Sequence, residues 1–275
     1  MAAVLVGALL HAIWNVLVRS ASDKFLNTAL VVGGAGALMA CWLPFAPVPS
    51  VESWPYLGAS VLIHVAYFSF VALSYRDADL SFVYPLMRGS APALSAVAVA
   101  FLVHESPSPG GWAGVLLISF GILLLAGDSW RSGSLRLAPT AVALATGGVI
   151  VIYTLVDGVG VRLSGHPVSY TGWMFLLTAF PLLIASFARQ GRKAARNFRL
   201  NWGKGLVGGA CTLSSYALAL WAMTHSPIAL VAALRETSVV FGTLIAVGFL
   251  RERVSPVRFV SIFIITAGAI AIKVS

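Results

Sequence analysis

The sequence predicts an all-α membrane protein with ten transmembrane helices. Hydrophobic residues make up 59% of the 275-residue chain and charged residues only 10%, whereas a soluble domain is about one quarter charged. Ten apolar stretches fill almost the whole chain, and each is close to the roughly 20 residues that a spanning helix needs. The loops between them leave no room for a separate catalytic domain of about 100 residues.

Turn residues separate the apolar stretches, and prolines and glycines mark most of the boundaries. The predicted spans cover residues 2–19, 28–45, 54–75, 79–103, 109–127, 137–161, 167–188, 203–224, 226–250 and 255–273. An even number of spans requires the two termini to lie on the same side of the membrane.

The basic residues are distributed unequally between the two sides of this bundle. Fourteen of the 18 lysines and arginines fall in loops on one side, Arg162 and Lys273 fall on the other, and two lie within spans. Cytoplasmic loops carry the excess of basic residues, so we predict cytoplasmic basic loops and external termini. The net charge of +9 then reflects topology and contact with anionic lipid headgroups rather than nucleic-acid binding.

Spans four and five align with spans nine and ten without a gap, at a constant offset of 147 residues. The matched pairs are Arg88 with Arg235, Glu105 with Glu252, Ser108 with Ser255, Pro109 with Pro256, Ile118 with Ile265, and Gly121 with Gly268. Each half, residues 1–133 and 134–275, contains five spans, so the second half must enter the membrane upside down. Such inverted repeats place a substrate site near the membrane midplane, at the interface of the halves.

Charged residues within the spans are the sharpest candidates for function. Arg88 and Arg235 lie about ten residues into their spans, near mid-depth, where a charge is costly unless it faces a cavity or a partner. A guanidinium can bind a carboxylate, phosphonate or sulfonate; the alternative is an arginine held by helix carbonyls or an acid. Glu236 is a candidate for proton coupling, or a counter-ion to either arginine. Asp157 is interpreted as an interfacial acid that pairs with Arg162.

Aromatic and polar side chains share helix faces at the i, i+3, i+4 spacing. Together with the two arginines, the predicted substrate-binding set comprises His11, Trp14, Asn15, Tyr67, Tyr84, Tyr153 and Tyr216. Aromatic rings could stack on an amphipathic solute in a shared cavity. The alternative is that these residues pack between helices or anchor the interface.

Two further sets are predicted to have gating or structural roles. Pro85 and Pro92 lie within the fourth span, where proline removes a helix hydrogen bond and produces a kink; the ninth span has no matching proline. Glu105 and Glu252 end their helices, where a negative charge opposes the helix dipole. Helix propensity does not explain these two glutamates, so we expect them to contact a loop arginine or backbone amides.

Several classes of chemistry lack support in the sequence. Cys41 and Cys211 fall within apolar spans and show no metal-ligand spacing, no nucleotide-binding loop is present, and no clustered acids or nucleophile–base pair is found. We therefore expect neither a metal nor a cofactor, and no enzymatic activity.

Several sequence segments together carry a family resemblance. They are residues 11–15 with Arg19, residues 79–86 with Arg88, residues 101–105 with Pro109, Gly114 and Gly121, and residues 249–253 with Pro256 and Gly268. The chain resembles the EamA family of the drug/metabolite transporter superfamily over essentially its full length. The resemblance implies two inverted five-helix repeats, a bacterial-type inner-membrane location, a functional monomer, and export or exchange of small metabolites. Relatives are described with both termini inside, whereas the charge distribution here places them outside.

The sequence as a whole predicts a secondary transporter that exports small anionic or zwitterionic metabolites, such as amino acids, by alternating access. A drug or lipid-carrier flippase or importer of the same fold remains an alternative, as does a membrane enzyme acting on lipid phosphates. The expected partners are a small-molecule substrate and the lipid bilayer, without nucleic acid.

Overall fold

The computed structural model describes residues 1–19, 23–77, 80–130, 137–250 and 255–275; it describes no side chains for residues 19, 72–77, 80–85, 126–130, 137–139 and 246–250. Within these ranges the chain forms ten α-helices and two 3-10 helices, Leu43–Phe45 and Val51–Ser53, and no strand. The α-helices are α1 Ala2–Arg19, α2 Lys24–Trp42, α3 Trp54–Asp77, α4 Leu80–Leu102, α5 Pro109–Trp130, α6 Leu137–Ser164, α7 Pro167–Met223, α8 Ile228–Arg235, α9 Ser238–Leu250 and α10 Pro256–Val274.

Many of these helices can cross a membrane. Six described segments have both the length and the hydropathy of a span: 24–45, 51–71, 140–164, 167–223, 228–245 and 256–274. Residues 2–18, 86–102 and 109–125 form shorter apolar helices. The all-helical class and several of the spans agree with the sequence prediction.

The seventh and eighth predicted spans are joined in the single element α7, interrupted only at Gly191. This residue has φ 39° and ψ −113°, a conformation that glycine adopts without steric cost. Residues 167–190 pass α2 in the opposite direction, since Gly36 lies against Ala179 and Gly172 against Met39. Residues 192–223 follow α2 in its own direction. The basic segment predicted as a loop is therefore helical on both sides of a glycine bend.

The ninth predicted span is not one helix. α8 ends at Arg235 and α9 begins at Ser238, and a 3-10 turn at Glu236 and Thr237 separates them. The Thr237 hydroxyl donates a 2.7 Å hydrogen bond to the Leu234 carbonyl oxygen, and such back-bonding competes with the regular helix pattern and bends helices. A short 3-10 stretch within a helix commonly marks a hinge.

The fourth predicted span forms one continuous helix. Although Pro85 and Pro92 lie within it, α4 continues as a helix from Leu80 to Leu102. An interruption lies in the matching ninth span, which has no proline. Local hydrogen bonding by Thr237 accounts for that break.

The helix ends form two groups. On one side, Asp23 accepts hydrogen bonds from Gln190 and Lys193, so the start of α2 meets the bend in α7. On the other side, Ser50 donates to the carbonyl oxygen of Leu163. This is the two-sided arrangement that a bundle of spanning helices requires.

Close backbone contacts hold α2 against the second arm of α7. A Cβ on Gly34 would overlap the backbone of Gly205, and a Cβ on Gly209 would overlap that of Ala35. Small residues allow helix backbones to approach in a membrane, where dispersion contacts replace the hydrophobic drive. Gly205 and Gly209, four residues apart on α7, both lie against α2 in this way.

Helices α5 and α10 meet in a reciprocal contact. A Cβ on Gly121 would lie 2.8 Å from the Cγ1 atom of Ile265, and a Cβ on Gly268 would lie 2.8 Å from the Cγ1 atom of Ile118. The sequence alignment matches Gly121 with Gly268 and Ile118 with Ile265. The two glycine–isoleucine contacts are therefore equivalent under this alignment. A two-fold axis produces such self-complementary contacts, and the helices run antiparallel, as inversion requires.

Equivalent capping bonds begin the same two helices. The Gly111 N–H donates to the Ser108 hydroxyl oxygen over 3.0 Å, and the Arg258 N–H donates to the Ser255 hydroxyl oxygen over 3.2 Å. Serine is a preferred N-cap, and a proline follows it in both cases. Both bonds obey the 147-residue offset, which further supports the proposed repeat.

Candidate functional site: an aromatic cavity with a buried arginine

A cavity lies where α1, α3, α6, α7 and α8 meet. Its walls are formed by His11, Trp14, His64, Tyr67, Phe68, Tyr153, Phe175, Thr212, Ser215, Tyr216 and Arg235. Six of these residues, His11, Trp14, Tyr67, Tyr153, Tyr216 and Arg235, belong to the predicted substrate-binding set. The faces of α1 and α3 predicted from the i, i+3, i+4 spacing therefore line one space.

Aromatic rings pack around His64 in this cavity. Its imidazole lies 4.8 Å from the Tyr153 ring and 5.5 Å from the Tyr216 ring, measured between centroids. Across the cavity, the Trp14 indole N–H donates a 3.2 Å hydrogen bond to the Nδ1 atom of His11. The walls offer flat apolar surfaces with polar edges, which suits an amphipathic solute.

Arg235 contributes a positive charge to the lining of this cavity. It is the last residue of α8, is 8% exposed, and its guanidinium carbon lies 4.8 Å from the centroid of the Tyr216 ring. Among the carboxylates that the structure describes, none lies within the 4.0 Å of an ion pair with Arg235. A cation–π contact compensates only part of the desolvation of a buried cation.

Arg88 has different surroundings, although the repeat matches it to Arg235. Its side chain is 2% exposed, and its Nε atom lies 2.7 Å from the Oε2 atom of Glu236. Arg88 also donates a hydrogen bond to the hydroxyl of Tyr67, which lines the cavity. The two arginines were expected to face one cavity together; the structure places only Arg235 among the lining residues and pairs Arg88 with an acid.

Asp157 is the buried acid that the sequence interpretation misplaced. Its side chain is fully buried and accepts hydrogen bonds from the hydroxyls of Tyr170, over 3.1 Å, and Tyr216. His64 approaches from α3, with Nε2 3.9 Å from Oδ2 of Asp157. The interfacial assignment was therefore wrong: Asp157 follows Tyr153 by four residues, and this spacing on a cavity-facing helix was the available signal.

Arg162, the partner expected for Asp157, binds elsewhere. Its Nη2 atom lies 3.1 Å from the Oε1 atom of Glu105, and its Nε–H donates to the Met223 carbonyl oxygen over 2.7 Å. The other oxygen of Glu105 accepts from the Ile228 N–H over 3.2 Å. Glu105 thus lies at the N-terminus of α8, where a helix dipole favours a negative charge.

The remaining predicted residues lie away from the cavity or outside the described part of the chain. The Asn15 side chain donates a 2.8 Å hydrogen bond to the His11 carbonyl oxygen of its own helix, and it is not among the lining residues. Pro92 is buried in α4. The side chains of Tyr84 and Pro85, and the whole of Glu252, are outside the described residues.

The cavity is small in this conformation. Its volume is about 30 Å³, room for only a few waters at roughly 10–15 Å³ each. Ligand pockets usually enclose about 300–1,000 Å³, so a metabolite could enter only after the helices move. In the part of the chain that the structure describes, no three His, Cys, Asp or Glu residues are grouped for a metal ion.

Comparison with known proteins agrees with this architecture. Residues 139–274 match the model of the EamA-like transporter family. A solved structure described only as "Crystal structure of protein" is similar over 99% of this chain and 97% of that chain, with 20% identity and a TM-score of 0.74. At that identity the likeness shows the fold alone. A comparison with curated proteins found no match.

The family match and the apolar helices together describe a multi-pass membrane protein with a transporter architecture. Through residues 139–274, the chain belongs to the EamA-like transporter family.

Proposed function

We propose that the protein is a secondary transporter that exports small anionic or zwitterionic metabolites, amino acids among them, by alternating access. The substrate class rests on the cavity, whereas export and an inner-membrane location rest on the family resemblance. The paired helix contacts between α5 and α10 support two inverted repeats as the moving parts.

The position of Arg235 is the observation on which the proposed substrate class rests. A guanidinium that is 8% exposed, lines a cavity and contacts an aromatic ring is strongly stabilised by an acidic group that enters beside it. Planar donors suit the two oxygens of a carboxylate. The surrounding Tyr67, Tyr153 and Phe175 rings can hold the hydrocarbon part of the same solute.

The helix break beside Arg235 supports a mechanism in which the site opens alternately. The turn at Glu236 and Thr237 separates α8 from α9, and discontinuous helices at the repeat interface form many substrate sites in transporters. Because Arg235 ends α8, a tilt of α8 about this turn would move the guanidinium. The cavity of about 30 Å³ then corresponds to a contracted state between loaded ones.

The first test is ligand-dependent thermal stability of the purified protein. Amino acids, phosphonates, sulfonates and cationic drugs would be compared on the native protein, Arg235→Ala, Arg88→Ala and the surface control Arg196→Ala. A ligand at about 100 times its Kd adds about 2.7 kcal/mol to the stability of the native state. We expect a shift with an acidic or zwitterionic class that Arg196→Ala retains and Arg235→Ala loses.

The variant Arg88→Ala distinguishes the role of Arg88 from that of Arg235. It should lower stability without ligand, because Glu236 loses its partner, yet a folded fraction should still respond to the ligand. Shifts only with cationic or apolar drugs, equal in native protein and Arg235→Ala, would contradict the substrate class.

Transport itself would be measured by counterflow in liposomes with the ligand that gives the largest shift. Accumulation of labelled ligand against unlabelled internal ligand, lost in Arg235→Ala, supports a carrier. Binding without counterflow, together with turnover of a lipid phosphate, would support the enzyme alternative instead.

A further inference from the structure

We propose that His64 and Asp157 together form a proton-binding site, and that a proton bound there strengthens the binding of an acidic group at Arg235. The proposal rests on the proposed function for its substrate half. The proton site itself follows from the geometry of the pair and can be tested without any substrate.

The hydrogen bonds of His64 favour one tautomer of the neutral ring, with the hydrogen on Nδ1. Nδ1 lies 3.0 Å from the Ser60 carbonyl oxygen, which can only accept, and 3.2 Å from the Ser60 hydroxyl, which can donate or accept. A hydrogen on Nδ1 suits both oxygens. In a neutral imidazole the Nε2 atom is then an acceptor. The tautomer is thus assigned from the hydrogen-bond network.

The Nε2 atom of His64 faces a second acceptor. The Oδ2 atom of Asp157 lies 3.9 Å away, beyond the length of a hydrogen bond, as expected of two acceptors with no proton between them. One proton taken from cavity water forms the Nε2–H bond and turns the contact into a charge-assisted hydrogen bond. Release of the same proton to water restores the starting state, and no other bond changes.

Tyr216 connects this pair to the substrate site. Its hydroxyl donates to Oδ2 of Asp157, the same oxygen that faces His64, and its ring lies against the Arg235 guanidinium. His64 lines the cavity, so its proton reaches cavity water directly. A proton on the pair therefore changes both the charge beside Arg235 and the hydrogen bond that orients the ring beneath it.

Other titratable or charged groups face the pair from the helices around it. They are His11 from α1, Tyr67 from α3, Tyr153 from α6 itself, Tyr170 and Tyr216 from α7, and Arg235 from α8. The tyrosines remain neutral in the physiological range, and Arg235 remains charged. His11 is the second histidine of the cavity, so it must be distinguished from His64 in any titration.

The sign of the coupling follows from charge. An added proton makes the cavity more positive and strengthens the binding of an anion at Arg235, and by linkage the anion favours the protonated pair to the same extent. Proton and anion therefore favour the same state of the cavity. Glu236 is less suited to this role, because its protonation would remove the negative charge that compensates the buried Arg88 guanidinium 2.7 Å away.

The test begins with the proton alone. Full-length protein in liposomes, labelled with ¹⁵N in the imidazole rings, would be titrated by solid-state NMR over about pH 5–8, where an ordinary imidazole changes charge. His64→Gln and His11→Gln assign the two cavity signals. We expect His64 with hydrogen on Nδ1 at high pH and an imidazolium at low pH, with the midpoint moved in Asp157→Asn.

A neutral His64 with hydrogen on Nε2, or a His64 titration unchanged by Asp157→Asn, would overturn the proton site. If Asp157→Asn does not fold, Tyr216→Phe and Tyr170→Phe replace it, since each removes one hydroxyl donor to the same carboxylate. Tyr216→Phe should shift the His64 titration more than Tyr170→Phe, because only Tyr216 shares the oxygen that faces His64. Equal shifts would overturn the proposal.

The second part measures the anion affinity against pH, with the acidic ligand that stabilises the native protein most. For one coupled proton the affinity should rise by up to about tenfold for each pH unit lowered, and this slope should vanish in Asp157→Asn. A slope that persists there, with binding still lost in Arg235→Ala, overturns the coupling and leaves the proposed function intact. A His64 titration without any ligand response supports the proton site and counts against the proposed function.

Discussion

The Nε atom of Arg88 and the Oε2 atom of Glu236 lie 2.7 Å apart, and both side chains are almost fully buried. This ion pair joins α4 in the first half of the chain to the turn between α8 and α9 in the second. Glu236 directly follows Arg235, so this buried contact holds the turn beside the arginine that lines the cavity.

Replacing Glu236 by Gln should strongly destabilise the protein. The change leaves the Arg88 charge buried without its acid, and breaking a buried pair in this way costs about 3–5 kcal/mol. Thermal unfolding in detergent would measure it, with the exposed Glu52→Gln as a matched control. Double replacement of Arg88 and Glu236 by Leu should recover much of the loss; wild-type stability of Glu236→Gln would show that the pair contributes little.

Gly209→Ala should separate α2 from the second arm of α7. The added Cβ would lie 2.7 Å from the Gly34 carbonyl carbon and closer still to the Ala35 nitrogen, and neither backbone atom can rotate away. Overpacking of this kind costs about 1–3 kcal/mol. Gly203→Ala is the control on the same helix, because nothing lies within 4 Å of its added Cβ; equal unfolding temperatures for the two variants would refute the close packing.

Asp23 should make the junction of α2 and α7 sensitive to acid. Partial burial alone would raise the pKa of its carboxyl, but hydrogen bonds from Leu26 N–H, Gln190 and Lys193 outweigh it and hold the pKa below its usual value. The contribution to stability is therefore complete above the unfolded value of about 3.9. This contribution is lost as the pH falls through the lowered pKa that the carboxyl has in the folded protein.

Two variants of Asp23 distinguish its role as the N-cap of α2 from the contribution of its charge. Asp23→Ala should cost about 0.5–2 kcal/mol at neutral pH, since it removes the N-cap of α2, whereas Asp23→Asn keeps an acceptor there. Unfolding temperatures measured down to about pH 3 should fall less steeply for Asp23→Asn than for the native protein. Parallel acid profiles for the two would exclude Asp23 as the source of the effect.

Glu105→Gln should alter movement more than stability. Its pair with Arg162 is about 26–32% exposed, and pairs of this exposure contribute about 0–1 kcal/mol. The bond to the Ile228 N–H nevertheless fixes the start of α8. We expect faster amide hydrogen exchange at residues 228–231 and an unfolding temperature near that of the native protein; unchanged exchange would mean that the contact does not restrain α8.

Much of the fold could be predicted from local sequence. Apolar length predicts spanning helices because lipid offers no hydrogen bonds to the backbone, and Ser108–Pro109 and Ser255–Pro256 mark helix starts by capping chemistry alone. The faces that carry Trp14 and Tyr67 follow from helical spacing. The prediction from local sequence failed at Gly191 and at Thr237. The helix continues beyond the bend at Gly191, where a loop was predicted, and it breaks at Thr237, where no proline is present.

The different roles of the two arginines were decided by tertiary structure. Arg88 and Arg235 have matching positions in the repeat, yet Glu236 reaches only Arg88, from a segment distant in sequence. Asp157 likewise acquires Tyr216, which lies 59 residues further along the chain, and His64 from another helix. The sequence by itself determined which residues lie in membrane helices and on which face, because backbone hydrogen bonding and helical period are local. Which charges are neutralised and which face the cavity was decided only by packing, because a charge buried away from water takes its partner from whichever helix lies beside it.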